Sequence, residues 1–356
     1  MAFEDRLSEL AGDVVAVDSG VAAAAGERQL SLTKPPGSLG LLEELGSRLA
    51  GISGSVRPPV PQSTAVVVCA GDHGVLGQGV SPWPQEVTAA MVANFCAGGA
   101  AVNALAKTVG ARVSVLDVGV AVELPGHPAL RSAKVRAGTE DLSERPAMSR
   151  EEAARAAMAG AGIAEELIES GGADLIVPGD MGIGNTTPAS ALISAFTGLP
   201  AREVTGRGTG IDDATLALKT RLIERALELH RPDSYDPLGV LAALGGLEHA
   251  AVCGLILMSA ACRVPVVLDG VVSCSAALAA RALAPECAGY MVAGHRSTEP
   301  GSGAALAELG LKPLLDLELR LGEGTGGLLA VPLVQGAARV LSEMATFEEA
   351  GVSAGE

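Results

Sequence analysis

Short, almost continuously apolar runs alternate with longer Ala-rich segments through the middle of this 356-residue chain. Apolar runs of this kind are typical of parallel strands that helices cover on both faces, and their alternation with helical segments predicts βαβ units. The clearest strands are Thr64–Ala70, Ala111–Asp117, Ala173–Pro178, Val264–Asp269 and Gly289–Gly294. The clearest helices are Gln85–Lys107, Thr187–Phe196, Ala214–Leu229, Leu247–Cys262 and Val272–Leu283. We therefore expect an α/β fold built on a parallel sheet.

The two ends of the chain differ from its centre. Residues 1–52 have a helical pattern without a strand, and so does the region from about Leu311 onward. The Pro-rich stretch Val56–Pro61 is a plausible boundary. We expect a large α/β domain over residues 60–310 and a small helical domain formed by residues 1–59 together with 311–356.

Composition and charge exclude several functional classes. The formal charge is 25 − 41 = −16, so nucleic acid and membrane are not expected partners, because both require a basic face. No signal peptide or transmembrane run is visible in the sequence. The six cysteines form no CxxC pair, which favours free thiols in a reducing compartment. These features predict a soluble cytoplasmic protein.

Ligands of open parallel sheets bind beyond the carboxyl ends of the strands, where two Gly-rich segments follow apolar runs. Residues 174–188 (DLIVPGDMGIGNTTP) combine a strand end, a Gly-rich loop and a helix start at Thr186/Thr187 with Pro188 in the first helical position. Uncovered backbone N–H groups at a helix N-terminus favour an anion such as phosphate. The alternative is a tight turn whose glycines serve only the backbone conformation.

The second Gly-rich segment is Thr205–Asp213 (TGRGTGIDD), which precedes a helix that carries Lys219. Asp212 or Asp213 is expected to cap this helix. The Lys219 side chain could reach back toward the loop, but the local pattern alone favours a solvated lysine on the helix surface.

Acidic and histidine side chains gather at the expected strand ends, which also permits a divalent metal site. No HxH or HExxH spacing supports it, and lone strand-end Asp residues often bind backbone amides instead.

Near the C-terminus, Glu323 lies between glycines before a helix. It is either a first-turn carboxylate favoured by the helix dipole or a general base on a glycine loop. The residues discussed here are Asp72, His73, Asp117, Asp180, Asp269, His295 and Glu323.

Four motifs occur together and in order: TKPPGSLGLLEEL at 33–45, AGDHGV at 70–75, GIGNTT at 182–187 and LGEGTG at 321–326. With them the chain resembles the nicotinate-nucleotide–dimethylbenzimidazole phosphoribosyltransferases over about residues 5–350. The resemblance implies a Rossmann-like large domain, a small helical domain from both termini and a homodimer. It also implies transfer of the phosphoribosyl group of nicotinate mononucleotide to 5,6-dimethylbenzimidazole, giving α-ribazole 5′-phosphate and nicotinate.

The resemblance also assigns roles to individual residues. Glu323 matches the catalytic base, whereas Asp180 stands where the family has a second glutamate, so a direct contact by this shorter side chain is open. The nucleotide loop is matched by Met181, Gly182, Gly184, Asn185 and Thr186, and the second phosphate-side element by Gly208, Thr209, Gly210 and Lys219. Ser81, Gln85 and Leu321 fall at the benzimidazole and Ser297 at the nicotinate end.

The implied chemistry explains these residue types. Nicotinate leaves from a positively charged pyridinium, so the reaction needs no general acid, metal or redox cofactor. As one benzimidazole nitrogen attacks C1′, the N–H on the other becomes acidic, and a carboxylate can take that proton. Two alternatives come from other functional classes: a metal-dependent hydrolase that uses the strand-end Asp and His residues, and a non-catalytic nucleotide sensor.

Overall fold

The computed structural model describes residues 2–353, and among them six strands form one sheet. The strands are β1 (Thr64–Gly71), β2 (Arg112–Gly119), β3 (Leu130–Ser132), β4 (Leu175–Met181), β5 (Val266–Leu268) and β6 (Met291–Ala293). Their spatial order is β3-β2-β1-β4-β5-β6, and each neighbouring pair is parallel. This sheet confirms the expected α/β class.

Helices flank the sheet. The described chain contains α1 (Phe3–Asp13), α2 (Ser19–Ser31), α3 (Leu41–Ser53), α4 (Glu86–Ala97), α5 (Ala101–Val109), α6 (Arg150–Glu165), α7 (Thr186–Thr197), α8 (Ala201–Val204), α9 (Asp213–His230), α10 (Pro237–Leu244), α11 (Leu247–Ala261), α12 (Val271–Leu283), α13 (Pro300–Leu309) and α14 (Thr325–Glu343). Every residue of β1 and β4 is buried, and α11 packs against both strands and against α6. The continuous apolar runs in the sequence therefore correspond to the centre of the core.

The strands differ from the sequence pattern in their exact bounds, and one short strand was not predicted. β4 continues past the expected end at Pro178 to Met181 and pairs with β1 over its whole length. The pattern does not predict β3, because Leu130–Ser132 is a short edge strand whose residues are half-buried or exposed. The core of a sheet is thus easier to read from a sequence than its edge.

The predicted helix Gln85–Lys107 is wrong as a single element. Gly98 adopts a left-handed conformation with φ +78°, ends α4 and separates it from α5. The combined segment Glu86–Val109 is long and apolar enough by composition to cross a membrane. The two helices have 12 and 9 residues, however, and a span needs about 20. Neither helix is long enough by itself.

The two chain ends meet in a second, smaller core. Ala25 of α2, Ala50 of α3 and Leu341 of α14 form this cluster, and Leu32 bridges to Thr346. We propose that these segments are the small domain expected from both termini, whereas α1 packs against α6 and α11. The expected helix from Leu311 is wrong: α14 begins only at Thr325. The preceding stretch contains a proline and two positive-φ glycines, which oppose a helix.

Candidate active site

Two adjoining cavities open at the carboxyl ends of the strands. We call one the polar cavity and the other the apolar cavity, after the side chains that line them. The polar cavity is lined by Ser81, Gly184, Thr186, Arg207, Gly208, Lys219, His295, Ser297 and Glu299 among others. The apolar cavity is lined by Trp83, Val87, Met91, Met181, Leu319 and Glu323 among others. Both cavities share Asp180, Gly182, Ile183, Asn185, Thr209, Arg320 and Leu321.

The loop of residues 182–185 connects β4 to α7 and borders both cavities. Gly182 packs so closely on the end of β1 that a Cβ atom there would collide with the carbonyl oxygen of Gly71. Asn185 is the N-cap residue of α7, and its Nδ2 donates to Asp180 Oδ2 at 2.9 Å. The helix begins at Thr186, so Pro188 is its third residue rather than its first. The N-terminus of α7 lies at the polar cavity, where its dipole favours an anion.

The second Gly-rich segment brings a buried cation to the same cavity. Asp212 caps α9 by accepting the Thr215 N–H at 2.8 Å, as the sequence predicts. Lys219 is only 1% exposed, so the solvated-surface interpretation of this residue is wrong. Its Nζ donates to Thr186 Oγ1 at 2.8 Å and to the Gly206 carbonyl at 3.2 Å. Burial lowers the pKa of Lys219 to about 8, against an opposing effect of the Glu299 carboxylate.

Glu323 stands on a strained loop before α14. Its φ is +63°, between Gly322 at +84° and Gly324 at +87°. Asp269, which follows β5, holds the far side of this loop: Oδ1 accepts the Gly326 N–H at 2.7 Å, and Oδ2 accepts the Gly324 N–H at 3.1 Å. Gly179 of β4 leaves room for the loop, because a Cβ atom there would lie 2.5 Å from the Glu323 carbonyl oxygen. The backbone therefore fixes the direction of the Glu323 side chain.

Two buried carboxyl groups flank the boundary between the cavities. Burial, and then the nearby Asp269 charge, raise the pKa of Asp180 well above its usual range, while the hydrogen bond from Asn185 opposes this shift. Burial also raises the pKa of Glu323, opposed by the Val102 backbone N–H at the start of α5. Asp180 Oδ1 and Glu323 Oε2 have no hydrogen-bond partner among the described residues. Both groups are suited to receiving a positive charge or a proton from a ligand.

The strand-end aspartates bind backbone amides instead of assembling a metal site. Asp72 accepts the Ala121 N–H at 2.8 Å, and Asp117 accepts the Val120 N–H at 2.9 Å. Asp269 binds the loop before α14 and lies 3.3 Å from His295 Nε2. Three strand-end aspartates thus accept hydrogen bonds from backbone N–H groups, as lone Asp residues often do.

His73, Glu248 and His249 form the one group of His, Cys, Asp or Glu side chains in residues 2–353 that is close enough to hold a metal ion. Glu248 Oε1 is hydrogen-bonded to His73 Nε2 at 2.7 Å and lies 2.9 Å from His249 Nδ1, whose geometry does not form a hydrogen bond. Although burial acts in the opposite direction, the two histidines lower the pKa of Glu248 to about 2. The group is completely buried and lines neither cavity. Its position under Gly182 indicates a role in supporting the 182–185 loop.

The comparisons with known proteins agree with this geometry. A family model described as phosphoribosyltransferase matches residues 14–352. The chain is 56% identical over 351 residues to the nicotinate-nucleotide–dimethylbenzimidazole phosphoribosyltransferase of Salinispora tropica, covering 95% of this chain and 96% of that protein. The Chloroflexus aggregans enzyme of the same name is also 56% identical, with 98% of each chain covered. The crystal structure of CobT from Thermus thermophilus superposes with a TM-score of 0.90 at 50% identity, covering 94% of this chain and 100% of that one.

The chain belongs to the nicotinate-nucleotide–dimethylbenzimidazole phosphoribosyltransferase family. Membership agrees with the four sequence motifs and with the parallel sheet. The structure brings most of these residues to the two cavities. Around the polar cavity lie Ser81, Gly184, Thr186, Gly208, Lys219 and Ser297; around the apolar cavity lie Met181 and Glu323; and Asp180, Gly182, Asn185, Thr209 and Leu321 border both.

Two residues implied by the family resemblance lie outside both cavity linings. Gln85 is exposed at the N-cap of α4 and makes no capping hydrogen bond. Gly210 shapes the loop before α9 with φ +109°. Neither lines a cavity in the structure of this single chain.

The structure also adds residues that sequence reasoning did not single out. Arg207, Glu299 and Arg320 line the polar cavity, and Val87 and Met91 line the apolar cavity. Arg320 Nη1 donates to the Gly208 carbonyl at 2.9 Å and so ties the loop before α14 to the second Gly-rich segment. Arg207 lies inside the second Gly-rich segment, and Arg320 directly precedes the LGEGTG motif. The glycine motifs could therefore have indicated both arginines. No comparable motif marks Glu299.

Proposed function

We propose that this protein transfers the 5-phosphoribosyl group of nicotinate mononucleotide to 5,6-dimethylbenzimidazole, giving α-ribazole 5′-phosphate and nicotinate. The observation that carries this proposal is the pairing of a polar, cation-bearing cavity with an apolar cavity that holds a carboxylate. An anionic nucleotide fits the first cavity, and a flat, uncharged aromatic base fits the second. We therefore expect the ribose C1′ at the boundary that the cavities share, between the departing nicotinate and the attacking base.

The polar cavity binds the nucleotide phosphate. The N-terminus of α7 and the Lys219 ammonium supply the donors. Local cations are required here because the whole chain carries a formal charge of −16. Ser297 adds a hydroxyl group for the nicotinate end of the nucleotide, and Ser81, which the resemblance implies at the benzimidazole, adds one from the lining of the polar cavity.

The apolar cavity binds dimethylbenzimidazole between α4 and the loop before α14. Val87, Met91 and Leu321 provide apolar surface for the ring system. The Glu323 carboxylate takes the proton from the ring nitrogen that does not attack, as positive charge develops on the imidazole. Its raised pKa brings a carboxylate closer to the basicity that proton abstraction requires.

Asp180 serves the reacting centre through its charge. It borders both cavities, and its Oδ1 has no hydrogen-bond partner among the described residues. The ribosyl group becomes cationic as nicotinate departs, and a carboxylate at this boundary stabilises that charge. Holding the two reactants in line supplies roughly 7–11 kcal/mol of the barrier in favourable cases. The cavity geometry therefore matters as much as the base.

A homodimer and a cytoplasmic location complete the proposal. Trp83 is 52% exposed and Leu321 is 58% exposed at the rim of the apolar cavity. Contiguous exposed apolar residues of this kind favour a protein interface, and a second copy would shield the bound base. The six cysteines are free thiols, which supports a reducing compartment.

The test is to incubate the protein with nicotinate mononucleotide and dimethylbenzimidazole and to quantify nicotinate and the new nucleotide. Equal amounts of the two products are the expected result. Release of nicotinate with free ribose 5-phosphate in the absence of a benzimidazole would support the hydrolase alternative. Nucleotide binding without any turnover would support the sensor alternative.

A further inference from the structure

A buried carboxylate lies in the cavity that takes the phosphate. Glu299 precedes α13 and is 5% exposed. Its Oε1 accepts the Gly208 N–H at 2.7 Å, while its Oε2 has no hydrogen-bond partner among residues 2–353. A carboxylate here repels an incoming phosphate, so its position calls for a function that offsets this cost.

The first part of that function is geometric. Gly206 lies so close to the Glu299 carboxylate that a Cβ atom at this position would collide with it. The same carboxylate holds the Gly208 N–H, and Gly208 has a positive φ of +52°. The Gly206 carbonyl in turn accepts from Lys219 Nζ at 3.2 Å. Glu299 therefore fixes the short backbone segment that orients Lys219.

The second part is electrostatic. The two hydrogen-bond acceptors of Lys219, Thr186 Oγ1 and the Gly206 carbonyl, are uncharged. Among the described residues no carboxylate oxygen lies within 4.0 Å of Lys219 Nζ, so Glu299 acts on the ammonium through its charge and not through a direct ion pair. Burial lowers the pKa of Lys219 to about 8, and Glu299 is the group that raises it.

The remaining charged groups near Lys219 do not replace Glu299. Of the helices packed against α9, α7 and α10 contain no charged side chain, and α8 carries the exposed pair Arg202 and Glu203. On the loop before α9, Arg207 pairs with Asp213, and Asp212 caps the helix. Of the other titratable groups that line this cavity, His295 and Arg320 are basic, and Asp180 lies at the boundary with the apolar cavity, where it accepts a hydrogen bond from Asn185. Glu299 is thus the acidic group with both burial and access to Lys219.

We propose that Glu299 is a positioning residue for the phosphate: its carboxylate fixes the Gly206–Gly208 backbone and keeps the Lys219 ammonium protonated for the incoming anion. The inference rests on the proposed function only in taking the nucleotide phosphate as the ligand of this cavity.

The test compares binding of nicotinate mononucleotide and of inorganic phosphate by calorimetry between pH 6 and pH 9. Wild-type affinity should fall as the pH rises through the pKa of Lys219. Glu299→Gln keeps an oxygen that accepts the Gly208 N–H but removes the charge. Its affinity should therefore fall about one pH unit lower, with binding at pH 6 as tight as in the wild type or tighter. Glu308→Gln on α13 removes an exposed carboxylate and should shift nothing.

Two further measurements separate charge from architecture. Glu299→Asp keeps the charge but shortens the reach, so its midpoint should match the wild type while its affinity falls severalfold at every pH. The Lys219 side-chain NMR titration of the ligand-free protein should move to lower pH in Glu299→Gln and stay unchanged in Glu299→Asp. An unshifted midpoint in Glu299→Gln, or a shifted midpoint in Glu299→Asp, would overturn the proposal.

The outcomes for the proposed function are distinct. Wild-type protein that binds inorganic phosphate but not nicotinate mononucleotide would contradict the proposed function. The titrations of the variants with inorganic phosphate would then still decide the role of Glu299. Wild-type protein that binds neither ligand would overturn both.

Discussion

Replacing Glu323 with glycine should separate stability from activity. Glu323 adopts φ +63°, a backbone conformation that costs a non-glycine residue roughly 1–2 kcal/mol. Glycine removes this strain but loses about 0.5–1 kcal/mol more conformational entropy on folding. The difference leaves a stabilisation of about 0.5–1 kcal/mol. Burial raises the pKa of Glu323, so its charged form destabilises the folded protein at neutral pH. Removing the carboxylate therefore also increases the free energy of unfolding.

The expected result for Glu323→Gly is a melting temperature about 1–3 °C above the wild type, since 1 kcal/mol shifts a domain of this size by a few degrees. Turnover should fall by roughly 10²–10⁴-fold, because the general base is gone. Glu323→Gln keeps the side-chain length and the strained backbone, so it should lose activity similarly without the strain-related gain. Circular dichroism melts and nicotinate release measure the two properties.

Arg231→Gly is the matched control. Arg231 ends α9 with φ +44°, is exposed, and lies at the opposite end of an 18-residue helix from the polar cavity. Relief of its strain should raise the melting temperature by a similar amount and leave turnover unchanged. If Glu323→Gly melted below the wild type while Arg231→Gly melted above it, the loop before α14 would depend on side-chain contacts of Glu323 rather than on its backbone. If Glu323→Gly kept turnover within tenfold, Glu323 would not be the base.

Three further outcomes follow from the same geometry. Asp269→Asn should lower kcat far more than nucleotide affinity, because it disturbs the amides that hold the Glu323 loop; an equal loss of both in a folded variant would contradict this role. Gly182→Val should weaken both ligands in separate titrations, since Gly182 borders both cavities and a Cβ atom there meets the Gly71 carbonyl; unchanged affinities would refute the close packing. Exhaustive dialysis against a chelator should leave turnover intact, because the pyridinium nitrogen becomes neutral when nicotinate leaves and needs no metal ion to stabilise it. A loss of turnover that one divalent ion restores would support the hydrolase alternative.

The central strands could be predicted from sequence because their physical signal is local. β1 and β4 are buried on both faces, so each appears as a continuous apolar run. β3 gives no such signal, since it lies at the exposed edge. The break between α4 and α5 had a local signal in Gly98–Gly99, but the apolar pattern on either side favoured one long helix.

The burial of Lys219 was also readable in principle. Leu222, Ile223 and Ala226 are buried on α9, and Lys219 stands three, four and seven residues before them. This spacing places the lysine on the same face as the apolar residues, toward the core. The position of a charged residue on the apolar face of a helix is therefore a better sign of a buried functional group than the length of its side chain.

The contacts that orient the site could not be predicted, because they join distant parts of the chain. Asp269 binds amide groups 55 to 58 residues away, and Glu299 binds Gly208 across 91 residues. No local periodicity encodes such pairs; they follow from the order of strands in the sheet. The family motifs identified the residues at the cavities but not the side chains that hold those residues in place.

The separation of charge across the two cavities links this architecture to the reaction. Lys219 and Arg207 lie at the end that takes the phosphate, whereas Asp180 and Glu323 border the reacting end. The substrate has the opposite polarity, with an anionic phosphate and a cationic pyridinium on the ribose. Burial raises the pKa of Asp180 well above its usual range in the ligand-free protein, which favours the neutral carboxyl group there, and a cation placed beside this group lowers the pKa again. We therefore expect the bound pyridinium to ionise Asp180, which places negative charge at C1′ when nicotinate leaves.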